Sequence, residues 1–170
     1  MGLTINDLFS VIFYLIIYVL ISLNIFIIFC SLIKNNNKVE LNIIEQLLYL
    51  KKVNLILVIS LCICLFSLAG VPPLAGFFGK FFIFLNSISL NFFFLTFFGL
   101  LISMVSCFYY LRLIKFLTFN NTKNFIFLSN LDKTTSYFIS FGIVFNCIFI
   151  FLVPFLYNFI KYLFLISFFF

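Results

Sequence analysis

Histidine and tryptophan are absent from these 170 residues, and charged residues make up only 8% of them. A soluble domain carries about 25% charged residues, so the water-facing surface of a soluble fold cannot be built from this composition. The lack of histidine excludes sites that use imidazole as a metal ligand or a proton acceptor. What remains is apolar, since 66% of the residues are hydrophobic and 31 are phenylalanine.

Cysteine is present but does not form a recognisable metal or disulfide pattern. Cys62 and Cys64 make one close pair, whereas structural zinc needs four ligands. All the cysteines lie inside apolar runs, where the free thiol behaves as a small hydrophobic group. We therefore expect neither a metal site nor a disulfide framework from Cys30, Cys62, Cys64, Cys107 and Cys147.

The composition also bears on where the chain is made. Enrichment in Phe, Ile, Leu and Asn is typical of genomes rich in A and T, which organelles often have. The first apolar run follows Asp7, has no basic segment before it and is too long for the core of a signal peptide. We therefore expect no cleaved targeting segment, in a chain that is either made inside a mitochondrion or inserted through an internal signal.

Charged residues divide the chain into apolar runs long enough to cross a membrane, for which a helix needs about 20 residues. We predict an all-α integral membrane fold of four transmembrane helices, one of them broken, in a single domain over 1–170. The predicted spans are 8–33, 53–86 with a break at 70–76, 91–117 and 134–160. A turn is expected at 86–91, and Pro154 is expected to kink the last span.

Between the first two spans, the segment VELNIIEQLLYL has apolar residues at helical spacing. This pattern predicts a helix over 39–51 that lies in the membrane interface, or equally a helical linker packed on neighbouring subunits.

Basic residues are concentrated in two predicted loops, 34–52 and 112–133, which hold eight of the ten. The positive-inside rule places both loops on the cytoplasmic or matrix side and both termini on the other. The net charge of +6 therefore reflects membrane topology, and we expect no nucleic-acid partner.

Helix-breaking residues are concentrated in the middle of one apolar run, SLAGVPPLAGFFGK. They are Gly70, Pro72, Pro73, Gly76 and Gly79. Each proline removes a backbone donor and disfavours helical geometry in the residue before it. In a membrane, irregular backbone is tolerated only where it is buried in protein or faces a water-filled cavity, and broken helices often form the ion sites of transporters.

Lys80 follows this break and is the only charged residue between Lys52 and Arg112. A lysine at the membrane centre costs about 2.5–3.5 kcal/mol on insertion scales, so a compensating role is expected. One interpretation is a proton-carrying site in a hydrated path. The other is a lysine that extends toward the turn near Asn86, about 9 Å away along the helix. The adjacent break favours the proton-carrying site.

The segment SLAGVPPLAGFFGKFFIF and the later SCFYYLRLIKF resemble subunit 2 of mitochondrial NADH:ubiquinone oxidoreductase, which is respiratory complex I, and bacterial subunit N. FYLIIYVLISLNIF resembles the helix before the break in that family, and the resemblance covers residues 8–118. It implies a proton-translocating subunit of the membrane arm, with Lys80 as the proton-carrying lysine of the broken helix. Tyr109, Tyr110 and Arg112 match the family's YYLR segment, where we interpret Arg112 as an interfacial anchor.

The same resemblance implies a multi-pass protein of the mitochondrial inner membrane, with both basic loops on the matrix side. The chain would be a subunit of an H⁺-translocating NADH:ubiquinone reductase and carry out no redox chemistry itself. No cofactor is expected in it, because the flavin and iron–sulfur clusters belong to other subunits. Expected partners are lipids and the other membrane-arm subunits.

Members of this family contain two inverted repeats, of which these residues resemble the C-terminal part. We expect a separate polypeptide to supply the N-terminal half, with its own broken helix, lysines and glutamate. Two alternatives remain: a structural membrane subunit, and a subunit of a related cation/proton antiporter complex.

Overall fold

The computed structural model describes residues 5–34, 55–119 and 133–169. Within these ranges the chain is helical and contains no strand, which confirms the predicted all-α fold with one broken helix. The helices are α1 (Ile5–Lys34), α2 (Leu55–Ala69), α3 (Ala75–Ser89), α4 (Phe93–Phe119) and α5 (Lys133–Phe169). The predicted interfacial helix at 39–51 lies outside the described residues.

The turn between α3 and α4 lies at the C-terminal end of the predicted 86–91. The Ser87 and Ser89 hydroxyls donate to carbonyls one turn back in α3, at 2.9 and 2.8 Å, so these polar residues continue the helix. The chain reverses at 90–92, where Asn91 has a φ of 63°, a left-handed conformation that asparagine tolerates better than most residues.

The last helix extends beyond its predicted end at 160. It continues to Phe169 with Pro154 inside it, because the sequence after Lys161 is again a run of apolar helix-compatible residues. Proline therefore does not end the helix here.

The first helix packs against α2, α3 and α5. Its buried side chains recur every four residues, at Phe9, Phe13, Ile17 and Ile21, which places them on one face of the helix. Large apolar side chains on its other face, such as Leu15 and Phe26, are exposed.

Two apolar clusters form the core. The first joins the end of α1 to the start of α2, the end of α4 and the start of α5, through Ile28, Leu61, Ile114 and Ile139. The second joins the earlier part of α1 to α3 and to Phe149 of α5. Helix α1 thus runs antiparallel to α2, whereas α2 and α5 start at the same end of the bundle and run parallel.

Helices α1 and α4 contain segments long and apolar enough to cross a membrane, Leu8–Cys30 and Phe93–Phe119. Helices α2 and α3 are shorter apolar helices, and they form the two halves of the broken span.

Candidate functional site

The end of α2 is closed by a left-handed glycine. Gly70 has a φ of +89°, which costs a glycine little because it has no Cβ. Its N–H donates to the Ser67 carbonyl at 3.1 Å, and the Val71 N–H donates to the Phe66 carbonyl at 3.2 Å. These are the two bonds of a Schellman motif. They satisfy two of the four carbonyls that a helix leaves without a partner at its C-terminal end.

Lys80 supplies donors for the other two carbonyls. Its Nζ donates to the Leu68 carbonyl at 2.8 Å and to the Ala69 carbonyl at 3.1 Å. The side chain reaches these oxygens because side chains on a helix lean toward its N-terminus, and here that direction leads to the break. The ammonium also faces the partial negative charge at the C-terminal end of α2. All four terminal carbonyls are therefore bonded within the protein, as the membrane interior requires.

The structure shows the direction in which Lys80 points. The side chain is directed back to the break and not toward the turn at 90–92, so the expected alternative of an extension toward Asn86 is not seen. The break covers 70–74 and is shorter than the predicted 70–76, because Gly76 and Gly79, which were expected in the break, lie inside α3. Pro72 and Pro73 are exposed in the break, and the peptide bond between them is cis.

A chain of buried hydrogen bonds joins the two half-helices to the last helix. The Gly76 N–H, in the first turn of α3, donates to Ser67 Oγ at 3.3 Å. The Ser67 hydroxyl donates to Asn146 Oδ1 at 3.1 Å, and Asn146 Nδ2 donates to the Gly142 carbonyl at 2.9 Å. Ser67 is 0% exposed and Asn146 is 1% exposed, so these polar groups interact with one another instead of with water.

Glycines allow α3 to approach its neighbours closely. A Cβ on Gly76 would overlap the carbonyl of Ser67, and one on Gly79 would lie 2.9 Å from ring atom Cδ2 of Tyr14 in α1. A side chain at either position would push α3 away from α2 or α1. The two glycines thus keep Lys80 within reach of its acceptors.

A cavity of 410 Å³ lies beside Lys80, between α1, α3 and α4. Tyrosines line it from α1 and α4, with ring centroids 6.1 Å apart for Tyr14 and Tyr18 and 4.4 Å apart for Tyr109 and Tyr110. A water molecule takes up about 30 Å³ in the liquid, so several waters would fit in contact with Lys80. The polar side chains in the lining are Tyr14, Tyr18, Ser67, Lys80, Ser103, Ser106, Tyr109 and Tyr110.

The structure brings together most of the residues singled out from the sequence, and separates one. Tyr109 and Tyr110 of the YYLR segment line the cavity, whereas Arg112 is exposed on α4 and is not part of the lining. Sequence reasoning did not single out Ser67, Asn146 or the tyrosines of α1. Asn146 carried a usable signal, because an amide inside an apolar span needs a buried hydrogen-bond partner.

Comparisons with known proteins agree with this architecture. Residues 1–106 match the NADH:quinone oxidoreductase/Mrp antiporter transmembrane family. The chain belongs to this family. It is accordingly a multi-pass, all-helical membrane protein whose broken helix carries Lys80.

Curated relatives point to one branch of the family. The chain is 38% identical over 133 residues to NADH-ubiquinone oxidoreductase chain 2 of Marchantia polymorpha, a match that covers 78% of this chain and 26% of the relative. It is 44% identical over 117 residues to the chain 2 of Rhizopus oryzae, covering 65% and 22%. NADH-quinone oxidoreductase subunit N of Pelagibacter ubique is 43% identical over 114 residues, covering 67% and 24%. The chain thus spans about a quarter of the length of these relatives.

Proposed function

We propose that this chain is a proton-translocating part of the membrane arm of an NADH:ubiquinone oxidoreductase, in which Lys80 carries the proton. The observation that supports this most directly is the position of Lys80. Its ammonium lies at the break of a membrane helix, bonded to two carbonyls and lining a cavity with room for water. A lysine so placed lies next to space that several waters could occupy, which proton transfer to its amine would require.

The family and the named relatives support the wider assignment. Chain 2 and subunit N are named as parts of NADH-ubiquinone and NADH-quinone oxidoreductases, so the proposed partners are the other subunits of such a complex. Chain 2 relatives in plants and a fungus favour the mitochondrial inner membrane. NADH oxidation and quinone reduction are assigned to those partners.

Replacing Lys80 by methionine tests the proton-carrying role. Lys80→Met removes the ammonium but keeps most of the side-chain volume, so we expect fewer protons pumped per NADH oxidised in the assembled complex. Lys115→Met is the matched control, because Lys115 is exposed on α4 and lies outside the cavity lining. The measurements are the proton-to-electron ratio in membrane vesicles and the amount of complex on a native gel. An unchanged ratio in Lys80→Met would contradict the proposal.

A purely structural role is the second candidate, because the hydrogen bonds of Lys80 also cap α2. Lys80→Arg separates the two roles. Arginine keeps a positive charge and several N–H donors, but does not release its proton in proteins. If Lys80 is only a cap, Lys80→Arg should pump normally; if it carries protons, the variant should assemble and pump poorly.

The remaining three quarters of the family's length lie outside these 170 residues. We propose that another polypeptide supplies that part of the fold, an arrangement tested by intact-mass spectrometry of the complex that contains this chain. A subunit at 19.9 kDa, together with a second chain matching the rest of the family, supports it. One longer polypeptide containing this sequence contradicts it, and a complex without NADH dehydrogenase activity would favour an antiporter instead.

A further inference from the structure

Ser67 is connected both to the residues whose carbonyls accept from Lys80 and to the half-helix that carries Lys80. The two carbonyls that accept from Lys80 belong to the two residues directly after Ser67, Leu68 and Ala69. On the other half-helix, Gly76 bonds to Ser67 Oγ and lies four residues before Lys80, about one helical turn. The Ser67 hydroxyl therefore fixes the acceptors and the donor relative to each other.

The orientation of this hydroxyl depends on the last helix. A serine hydroxyl inside a helix commonly donates to a carbonyl three or four residues earlier in the same helix. Ser60, on the same helix and equally buried, does so: its Oγ donates to the Leu57 carbonyl at 2.7 Å. Ser67 instead donates across helices to Asn146 Oδ1 at 3.1 Å. Asn146 is held in turn by its bond to the Gly142 carbonyl.

We propose that Asn146 is a positioning residue for Lys80, acting through Ser67 to hold the two carbonyls that bind the ammonium. This positioning role matters for proton translocation only because it rests on the proposed function, but the experiment below tests it independently of that function. It makes α5 part of the proton-carrying site, although α5 contributes no side chain to the lining of the cavity. A movement of α5 would reach the helix that carries Lys80 through the side-chain bond from Ser67 to Asn146 and the bond from the Gly76 N–H to Ser67.

The test is the reactivity of Lys80 toward a membrane-permeant acetylating reagent in the assembled complex, read by peptide mass spectrometry. Such reagents modify only the neutral amine, so the rate reports how firmly the ammonium is held. In Ser67→Ala and in Asn146→Leu we expect Lys80 to react about tenfold faster at fixed pH, which corresponds to the loss of one hydrogen bond to a charged group. Ser60→Ala is the matched control and should react at the parent rate.

Two further outcomes make the test specific. If Asn146 acts through Ser67, the double variant should react no faster than Ser67→Ala alone, since interacting residues are not additive. Equal rates in Ser67→Ala and Ser60→Ala would overturn the proposal, whichever result Asn146→Leu gives. If the Asn146→Leu complex does not assemble, the Lys80 acetylation rates in Ser67→Ala and Ser60→Ala still allow the proposal to be overturned. A normal proton-to-electron ratio in Lys80→Met would instead refute the proposed function and leave this labelling result unchanged.

Discussion

Gly76 shows how a single atom can matter where two half-helices meet. The first turn of α3 lies directly against the backbone of α2, and a Cβ at Gly76 would overlap the Ser67 carbonyl oxygen. That oxygen accepts the Gly70 N–H, so it cannot move without opening the end of α2. The contact is between backbones, and no side-chain rotation relieves it.

We therefore expect Gly76→Ala to destabilise the assembled complex by about 1–3 kcal/mol or more, as overpacking does elsewhere. Gly99→Ala is the control, because a Cβ there would lie 3.0 Å from Cε1 of Phe84, the far end of a side chain that can rotate. Thermal inactivation half-lives of the purified complex measure both effects. Equal half-lives for the two variants would show that the backbones can separate at no cost.

For single residues, the sequence predicted which positions are important better than it predicted their hydrogen-bond partners. Lys80 and the glycines stood out because charge, glycine and proline are rare in an apolar span. Ser67 and Asn146 are polar residues of ordinary kinds, separated by 79 positions, and only the packing of α5 against α2 brings them together. No local pattern encodes such a pair.

Among the helices, α1 and α5 meet at a point where a glycine accommodates an amide. A Cβ on Gly142 of α5 would overlap the side chain of Asn24 in α1. Asn24 Nδ2 donates to the Leu20 carbonyl at 2.9 Å, within its own helix, so this amide is not needed to hold α5. The contact is one of shape and not of hydrogen bonding.

This arrangement predicts that one substitution will compensate for another. Gly142→Ala alone should shorten the thermal half-life of the complex, whereas Asn24→Ala makes room for the added methyl group. The double variant should recover most of the loss, with a coupling of about 0.5–3 kcal/mol between the two sites. Additive effects in that double-mutant cycle would mean that the two helices do not touch at this point.

The helix bounds show where sequence patterns lose precision. Charged residues marked the ends of α1 and α4 well, because charge is expelled from the membrane interior. Serine and asparagine marked the end of α3 poorly, since Ser87 and Ser89 bond to carbonyls of their own helix. A short polar run in a membrane helix is therefore weak evidence for a turn.

Across the whole molecule, α4 is mostly uncovered. Of its side chains only Thr96, Ile114 and Leu117 are buried, while large apolar residues such as Phe94 and Met104 are exposed. A helix that is apolar on all sides and buried on one belongs among lipids or against other subunits. The exposed face of α4 therefore suits contact with lipid or with further protein.

The orientation of α4 gives a prediction about sidedness. At about 1.5 Å per residue, this 27-residue helix is long enough to separate Asn91 and Lys115 across the membrane. With an impermeant maleimide added to sealed mitoplasts, Asn91→Cys should react and Lys115→Cys should react only after the membrane is opened, with the parent chain as background. The reverse pattern would place the basic loops outside the matrix and overturn the positive-inside assignment.

The hydrogens on Lys80 Nζ can be compared with the two hydrogen bonds that this atom donates. An ammonium group carries three and a neutral amine two, and the carbonyls of Leu68 and Ala69 use two. The third hydrogen is the one available to the cavity, and it is also the one that deprotonation removes. If Lys80 carries the proton as proposed, it could therefore give up a proton and regain it with two hydrogens still available for the carbonyls of Leu68 and Ala69.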